Sequence, residues 1–109
     1  MLIIELDVFS GRSNPCWELD ESRALALRQL EERLEPVDRP RVQPPGLGYR
    51  GFLYAGVAGR VRAYGGWIDA RQQALADPLF TVERYLLDQI PPAFASLRER
   101  VAAELARLK

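Results

Sequence analysis

The sequence contains no histidine, a single cysteine (Cys16) and a single lysine (Lys109) in 109 residues. Without histidine the chain cannot supply Ser–His or Cys–His nucleophilic pairs, and we expect no zinc, haem or iron–sulfur site within it. One cysteine cannot close an internal disulfide, so nothing points to an oxidising compartment. These absences favour binding over catalysis, and we expect no intrinsic enzymatic activity.

Long apolar runs are also missing, since Glu5 and Asp7 interrupt the opening Leu2-Ile3-Ile4 and no basic segment precedes it. We therefore expect neither an export signal nor a membrane span, and a cytoplasmic location. The net charge is zero, yet residues 1–38 carry nine acids against four arginines, whereas residues 39–71 carry six arginines against one acid. This asymmetry allows an anionic partner for the middle of the chain, or neutralisation of one half by the other.

The hydrophobic pattern predicts an α+β fold in one domain spanning residues 1–109, with a small antiparallel sheet covered on one face by three helices. Period-two alternation predicts strands at 2–9, 49–57 and 60–69, with a hairpin turn at Ala58-Gly59, and a short strand at 16–19. Helical spacing of apolar residues predicts three helices, at 20–34 with Asp20 as its N-cap, at 81–89 and after Pro91-Pro92. The segment 36–48 is rich in proline and arginine and is predicted to be a loop. Gly65-Gly66 suggests a bulge or a place where another backbone comes close.

The predicted 49–69 hairpin offers parts that suit capture of an extended peptide as an added strand. Arg60 and Arg62 would select acidic side chains, and the double glycine would permit close backbone approach. Two alternatives use the same region: an edge protected by its own charges, and a nucleic-acid surface in which Tyr54, Tyr64 and Trp67 stack on bases. A free edge would also allow a self-associating structural domain.

Two groups are candidates for catalysis: the acids Glu5 and Asp7, and the thiol of Cys16. We favour a structural explanation for both groups. Glu5 and Asp7 share a strand face, but no cleft or second kind of catalytic group accompanies them. Cys16 has no histidine to act as its base, and small buried cysteines are common.

Four stretches of the sequence resemble a family of small bacterial proteins with an SGRPNP loop. They are the segment from Asp7 to Trp17, the segment from Gly46 to Phe52, the later Tyr64-Gly65-Gly66, and Asp77-Pro78. Ser13 departs from the usual proline, and Cys16 stands where a hydroxyl residue is common. Some members are similar to partner subunits of multinuclear non-haem iron enzymes that modify ribosomally made peptides, such as the peptidyl-mercaptoglycine synthase of thiaglutamate biosynthesis.

The resemblance implies that iron, its ligands and the oxidation chemistry belong to a larger subunit, and that this chain carries no cofactor. The chain would then form a heterodimer and hold the precursor peptide. We expect the groove that holds the peptide to be lined by Arg50, Arg60, Arg62, Tyr64 and Trp67. We expect Arg12, Asn14 and Trp17 to contact the partner, although Arg12 and Asn14 could instead brace the fold. Arg12 could equally bridge Glu18 or a carbonyl group within its loop.

Overall fold

The computed structural model describes residues 2–9, 11–38, 43–46, 48–56, 59–70 and 73–108. The chain forms seven strands: β1 (Leu2–Leu6), β2 (Cys16–Leu19), β3 (Glu35–Val37), β4 (Phe52–Gly56), β5 (Gly59–Tyr64), β6 (Trp67–Asp69) and β7 (Ala74–Ala76). The helices are α1 (Glu21–Glu32), α2 (Thr81–Asp88) and α3 (Ala95–Leu108), the last preceded by a 3₁₀ turn at Pro92–Phe94.

All seven strands join one antiparallel sheet in the order β2-β1-β4-β5-β6-β7-β3. The predicted α+β class is therefore confirmed, and the sheet is wider than the sequence analysis anticipated. Two strands were not predicted. β3 begins inside the segment expected to be a loop, and β7 follows β6 in a stretch to which we had assigned no element.

Alternation along each strand separates a helix-covered face from an open face. The covered face contributes a continuous apolar layer from β1 to β6, comprising Leu2, Ile4, Leu6, Trp17, Leu19, Phe52, Tyr54, Val61, Ala63 and Ile68. Val82 and Leu86 of α2 and Leu97 and Val101 of α3 complete this core from the helical side. On the open face Ile3 is 58% exposed, and the remaining positions in β1 and β5 are mainly charged.

The helices begin and end where the sequence provides capping groups. Asp20 caps α1, as predicted, because its Oδ1 accepts the backbone N–H of Arg23 at 2.8 Å. Asp77 stabilises the start of α2 from outside the helix, since its carboxylate accepts the backbone N–H groups of Thr81 and Val82 and the Thr81 hydroxyl. Pro91 and Pro92 separate α2 from α3, as expected.

Glycine is required where the chain turns or approaches itself closely. Gly65 and Gly66 have φ of 63° and 85° and form a two-residue turn between Tyr64 and Trp67. The predicted bulge is therefore wrong, and the single strand predicted over 60–69 is two strands, β5 and β6. The alternative prediction of a close backbone approach is confirmed at Gly66, where a Cβ would lie 3.1 Å from the carbonyl oxygen of Asp77. Gly51 has φ of 100°, and a Cβ there would lie 2.4 Å from the carbonyl oxygen of Ala63.

Gly56 pairs with Gly59, which confirms the β4–β5 hairpin; Ala58 of its predicted turn lies outside the described residues. Within the described part of the chain, no helix combines the length and apolar character that a membrane crossing requires.

Candidate functional site

The acidic start and the basic middle of the chain meet on the open face of the sheet. We call this group the charged cluster; it consists of Glu5, Asp7, Asn14, Arg50, Arg60 and Arg62. β1 and β4 are neighbours, and β5 follows β4, so strand order alone brings the acids beside the arginines. For these residues the charge asymmetry of the sequence is explained by internal neutralisation.

Asp7 is the centre of the charged cluster and is almost fully buried. Its Oδ1 accepts Arg50 Nη2 at 2.8 Å and Arg50 Nε at 3.1 Å, and its Oδ2 accepts Arg62 Nη1 at 2.7 Å. Burial by itself would raise the pKa of Asp7, but the hydrogen bonds and positive charges of the two arginines outweigh it and lower that pKa. Asp7 is therefore held ionised, which does not suit a general acid.

Both arginines also donate to backbone carbonyl groups. Arg50 reaches the carbonyl oxygens of Phe9 at 2.6 Å and Gly46 at 2.7 Å, and Arg62 reaches the carbonyl oxygen of Arg50 at 2.6 Å. Arg50 thus ties the end of β1 to the segment before β4. Its side chain is engaged inside the protein, which argues against a role in lining a peptide groove.

The exposed pair of the charged cluster is Glu5 with Arg60. Arg60 Nη2 lies 2.9 Å from Glu5 Oε1, and the Arg60 side chain is 59% exposed. Pairs of this kind contribute little to stability because water screens them. Arg60 is consequently the arginine of the cluster that remains most accessible to another molecule.

Strand addition at the 49–69 hairpin finds little free edge, because Phe52 and Leu53 pair with β1 and the stretch from Arg62 to Tyr64 pairs with β6. β4 is paired with β1 and β5, and β5 is paired with β4 and β6. Of the remaining predicted peptide-binding residues, Tyr64 is buried against the Tyr49 ring, and Trp67 is partly buried opposite Tyr64. The pairing of Arg60 and Arg62 with acids also removes the main argument for nucleic-acid binding.

Asn14 organises the loop between β1 and β2 from within. Its Oδ1 accepts the backbone N–H groups of Val8 and Phe9 at 3.1 and 2.9 Å, and its Nδ2 donates to Glu5 and Asp7 at 2.9 and 3.2 Å. These four hydrogen bonds engage both the carbonyl oxygen and the amino group of the Asn14 side chain. Of the two predicted roles of Asn14, these contacts favour bracing of the fold over contact with a partner.

Of the other two expected partner contacts, one is buried and one is exposed. Trp17 is 9% exposed and packs against Phe52 and Phe94, so it would have to leave the core to contact a partner, and that prediction is corrected. Arg12 is exposed, and its guanidinium lies 3.8 Å from the centre of the Phe9 ring. Among the described residues Arg12 forms neither a bridge to Glu18 nor a hydrogen bond to a carbonyl group of its loop, so the stacking on Phe9 positions its exposed side chain.

The free edge of the sheet that best suits pairing is β2. Leu6 donates its N–H to the carbonyl group of Pro15 at 3.0 Å, so in antiparallel alternation the backbone groups of Trp17 and Leu19 face β1. Those of Cys16 and Glu18 face away from the sheet, and no described residue pairs with them. We term this margin the β2 edge. The sequence predicts the strand but gives no signal that it ends the sheet.

The side chains and pockets beside the β2 edge are of mixed character. Cys16 is exposed, contrary to the expectation of a buried thiol, and it and Glu18 project on the open face. Next to the start of β2 is an open pocket of about 410 Å³, lined by Phe9, Arg12, Ser13, Asn14, Pro15, Phe94 and Leu97. The loop between β1 and β2 and the start of α3 therefore frame one end of the β2 edge.

The opposite margin of the sheet is β3, and it is less suited to pairing. β3 has three residues, with Pro36 in the middle opposite Leu75 of β7. Proline offers no backbone N–H, and in sheets it occupies edge positions where that group would face solvent. Pro36 thus removes the central donor from the outward side of β3.

Two buried glutamates escaped the sequence analysis because they occupy core-facing positions of helices. Glu83 of α2 is 1% exposed; its Oε1 accepts the Tyr49 hydroxyl at 2.6 Å and the Gly65 N–H at 3.1 Å, and its Oε2 accepts the Gly66 N–H at 2.8 Å. Burial raises the pKa of Glu83 more than these donors lower it. Both of its oxygens are occupied, so Glu83 joins α2 to the β5–β6 turn.

Glu31 of α1 is the second buried glutamate and is 9% exposed. Its Oε1 accepts the Tyr54 hydroxyl at 2.9 Å, and burial raises the pKa of Glu31. It lines a cavity of about 280 Å³ between α1 and the strands β5 to β7.

In the described ranges, no three histidine, cysteine, aspartate or glutamate side chains lie close enough together to hold a metal ion. Comparison of the chain with family models, with curated proteins and with solved structures gives no match. The resemblance of the loop after β1 to the SGRPNP family therefore stays a prediction.

Proposed function

We propose that this chain is a non-catalytic recognition subunit that binds an extended peptide along the β2 edge. The observation that carries the proposal is the outward-facing backbone of Cys16 and Glu18, which presents two N–H and two C=O groups without a partner among the described residues. An added strand would satisfy these groups, and main-chain hydrogen bonds of this kind give affinity without demanding one peptide sequence.

The side chains beside the β2 edge define the peptide chemistry. Glu18 is exposed, so it favours a lysine or arginine at the facing position of the added strand. On the covered face the neighbours are Trp17 and Leu19, which favour apolar residues at alternate positions. We therefore propose a peptide that alternates basic and apolar residues, in place of the acidic peptide expected from Arg60 and Arg62.

Arg12 and the pocket beside it supply a second contact region at the end of the β2 edge. The pocket combines the apolar surfaces of Phe94 and Leu97 with the exposed Arg12 guanidinium. We assign this region to the partner subunit, in keeping with the role that the family resemblance implies for Arg12.

The partner is proposed from the resemblance of the Asp7–Trp17 segment alone. It would be the larger subunit of a multinuclear non-haem iron enzyme, which would hold the iron and oxidise a ribosomally made precursor peptide in the cytoplasm. The chain described here would form a heterodimer with it and present the peptide. Co-expression with an iron enzyme encoded beside this chain, followed by co-purification, tests the partner separately from the peptide site.

The peptide site is tested by nuclear magnetic resonance titration with a capped eight-residue peptide that alternates valine and lysine. We expect shift changes and slowed amide exchange at Cys16 and Glu18. Glu18→Pro removes one outward N–H without touching the bonds to β1, and we expect it to weaken binding roughly tenfold, since a hydrogen bond contributes about 1 kcal/mol and the ring obstructs the added strand.

Three controls separate backbone pairing from charge attraction. Glu18→Ala retains the amide and should bind more tightly than Glu18→Pro. Arg60→Gln changes an accessible charge on the interior strand β5 and should leave affinity unchanged. A peptide that alternates valine and glutamate should bind less tightly than the lysine peptide. Equal binding by Glu18→Pro and the unchanged chain would overturn the proposed site.

The competing occupant of the β2 edge is the same edge of a second copy. Two copies could pair through a two-fold axis, and sedimentation across a range of concentrations would then show a dimer. If the valine–lysine peptide fails to dissociate such a dimer, the β2 edge serves self-association and the peptide proposal is wrong.

A further inference from the structure

The cavity beneath α1 lies between that helix and the strands β5, β6 and β7. Its floor is apolar and belongs to β5, β6 and β7, with Val61, Ile68 and Leu75 facing α1. Its wall is one face of α1, where Arg28, Glu31 and Glu32 follow the spacing of one helical turn. The cavity therefore combines an apolar floor with a charged wall on the covered side of the sheet.

Glu31 is unusual among the core-facing residues of α1. Ala24 and Leu27 precede it on the same face and are apolar, and a leucine at position 31 would extend that stripe. Burying a carboxyl group costs free energy unless hydrogen bonds compensate, yet Tyr54 is the one described residue that donates to Glu31. Oε2 of Glu31 has no partner among the described residues, and the side chain lines the cavity.

The comparison with Glu83 isolates what is special about Glu31. Both are helix glutamates that lie at least nine-tenths buried, and a tyrosine hydroxyl donates to each. Two further backbone N–H groups complete the surroundings of Glu83. Among the described residues Glu31 has no second donor, and its side chain lines the cavity, so a ligand there has room to donate to it.

We propose that this cavity is a binding site for a small amphiphilic amine, with the ammonium group at Oε2 of Glu31 and the hydrocarbon chain on Val61, Ile68 and Leu75. Among the described residues, the charges on the wall favour a cation, since Glu31 and Glu32 line the cavity together with Arg28 as the one base. Any surface carboxylate could bind an amine that has no hydrocarbon chain equally well. Selectivity for an alkyl amine therefore depends on the apolar floor of the cavity.

The first test needs no variant and uses butylamine, pentylamine and hexylamine as probes, measured by calorimetry and amide shifts. Each added methylene buried on the floor should tighten binding roughly fourfold. Shift changes should centre on Glu31, Ile68 and Leu75. Hexanol and hexanoate, which carry the same chain without the cation, should each bind at least tenfold more weakly than hexylamine.

The second test alters the wall of the cavity. Glu31→Gln retains an acceptor for the Tyr54 hydroxyl but removes the charge, and it should weaken hexylamine at least tenfold while leaving hexanol unchanged. Glu32→Gln removes an exposed charge from the same wall and should weaken hexylamine threefold at most. Affinity that is independent of chain length, or hexanol binding as tightly as hexylamine, would overturn the proposal even if Glu31→Gln fails to fold.

Discussion

Replacement of Asp7 by asparagine should be among the most damaging single-atom changes available on the open face. The variant keeps Oδ1 as an acceptor but places an N–H₂ group where Oδ2 now meets Arg62 Nη1 at 2.7 Å. Two donors then oppose each other, and two half-buried guanidinium groups, those of Arg50 and Arg62, lose their counter-charge.

The expected loss of unfolding free energy depends on how exposed the Asp7–Arg62 ion pair is to water. Removing one partner of a fully buried ion pair costs about 3–5 kcal/mol, whereas exposed pairs contribute about 1 kcal/mol or less. The side chains of Asp7 and Arg62 are 10% and 32% exposed, so the pair lies nearer the buried limit but is partly screened. We expect Asp7→Asn to lower the free energy of unfolding by about 2–3 kcal/mol.

Urea unfolding followed by tryptophan fluorescence measures this change, and Glu5→Gln is the matched control. Glu5 lies on the same strand and face, but its partner Arg60 is largely exposed, so its amide variant should lose less than about 1 kcal/mol. Equal losses for Asp7→Asn and Glu5→Gln would refute the assignment of Asp7 as the centre of the charged cluster.

The effect of Asp7→Asn should also depend on pH in one direction. The pKa of Asp7 is lowered in the folded protein, so the stability that its charge provides is present above the usual value of 3.8 and is lost as the pH falls through the folded pKa. The variant and the unchanged chain should therefore converge in stability as the pH falls through the folded pKa of Asp7 and differ fully at pH 7.

Three further predictions concern backbone geometry, helix capping and a buried acid. Gly51→Ala should cost about 3 kcal/mol or more in unfolding free energy, because its Cβ would strike a backbone carbonyl group, whereas Gly11→Ala, with positive φ but open space, should cost about 1–2 kcal/mol. Asp77→Ala should cost about 2 kcal/mol and Asp20→Ala about 1 kcal/mol, since the first carboxylate accepts three hydrogen bonds and the second one, and thermal unfolding would rank them. The raised pKa of Glu83 means that stability declines as the pH rises from 4.5 through the folded pKa, and denaturant titrations from pH 4 to 7 should show a flatter profile for Glu83→Gln.

The elements with strong local patterns were predictable from the sequence. Strict alternation identified β1, and leucine spacing with an aspartate cap identified α1. β3 and β7 escaped because each has three residues, too few to display a period, and because Pro36 is typical of loops. Each is stabilised as a strand by pairing with the other, a contact between distant segments that no local window contains.

The candidate site was less predictable than the fold because it depends on strand order. The sequence shows arginines in a hairpin but does not show that β1 lies beside β4, which neutralises Arg62 and moves the free edge to β2. Likewise, Glu31 and Glu83 look like solvent-exposed charges on amphipathic helices. Their burial follows from how the helices rest on the sheet, and the sequence pattern alone does not specify that orientation.

The proline in β3 limits the stoichiometry of any assembly that this chain makes. A sheet able to accept strands at both margins can grow into a filament, because each arriving strand exposes a new acceptor. With Pro36 obstructing one margin, this chain accepts an added strand only at Cys16–Glu18, so it holds one guest and cannot link two neighbours through its own sheet.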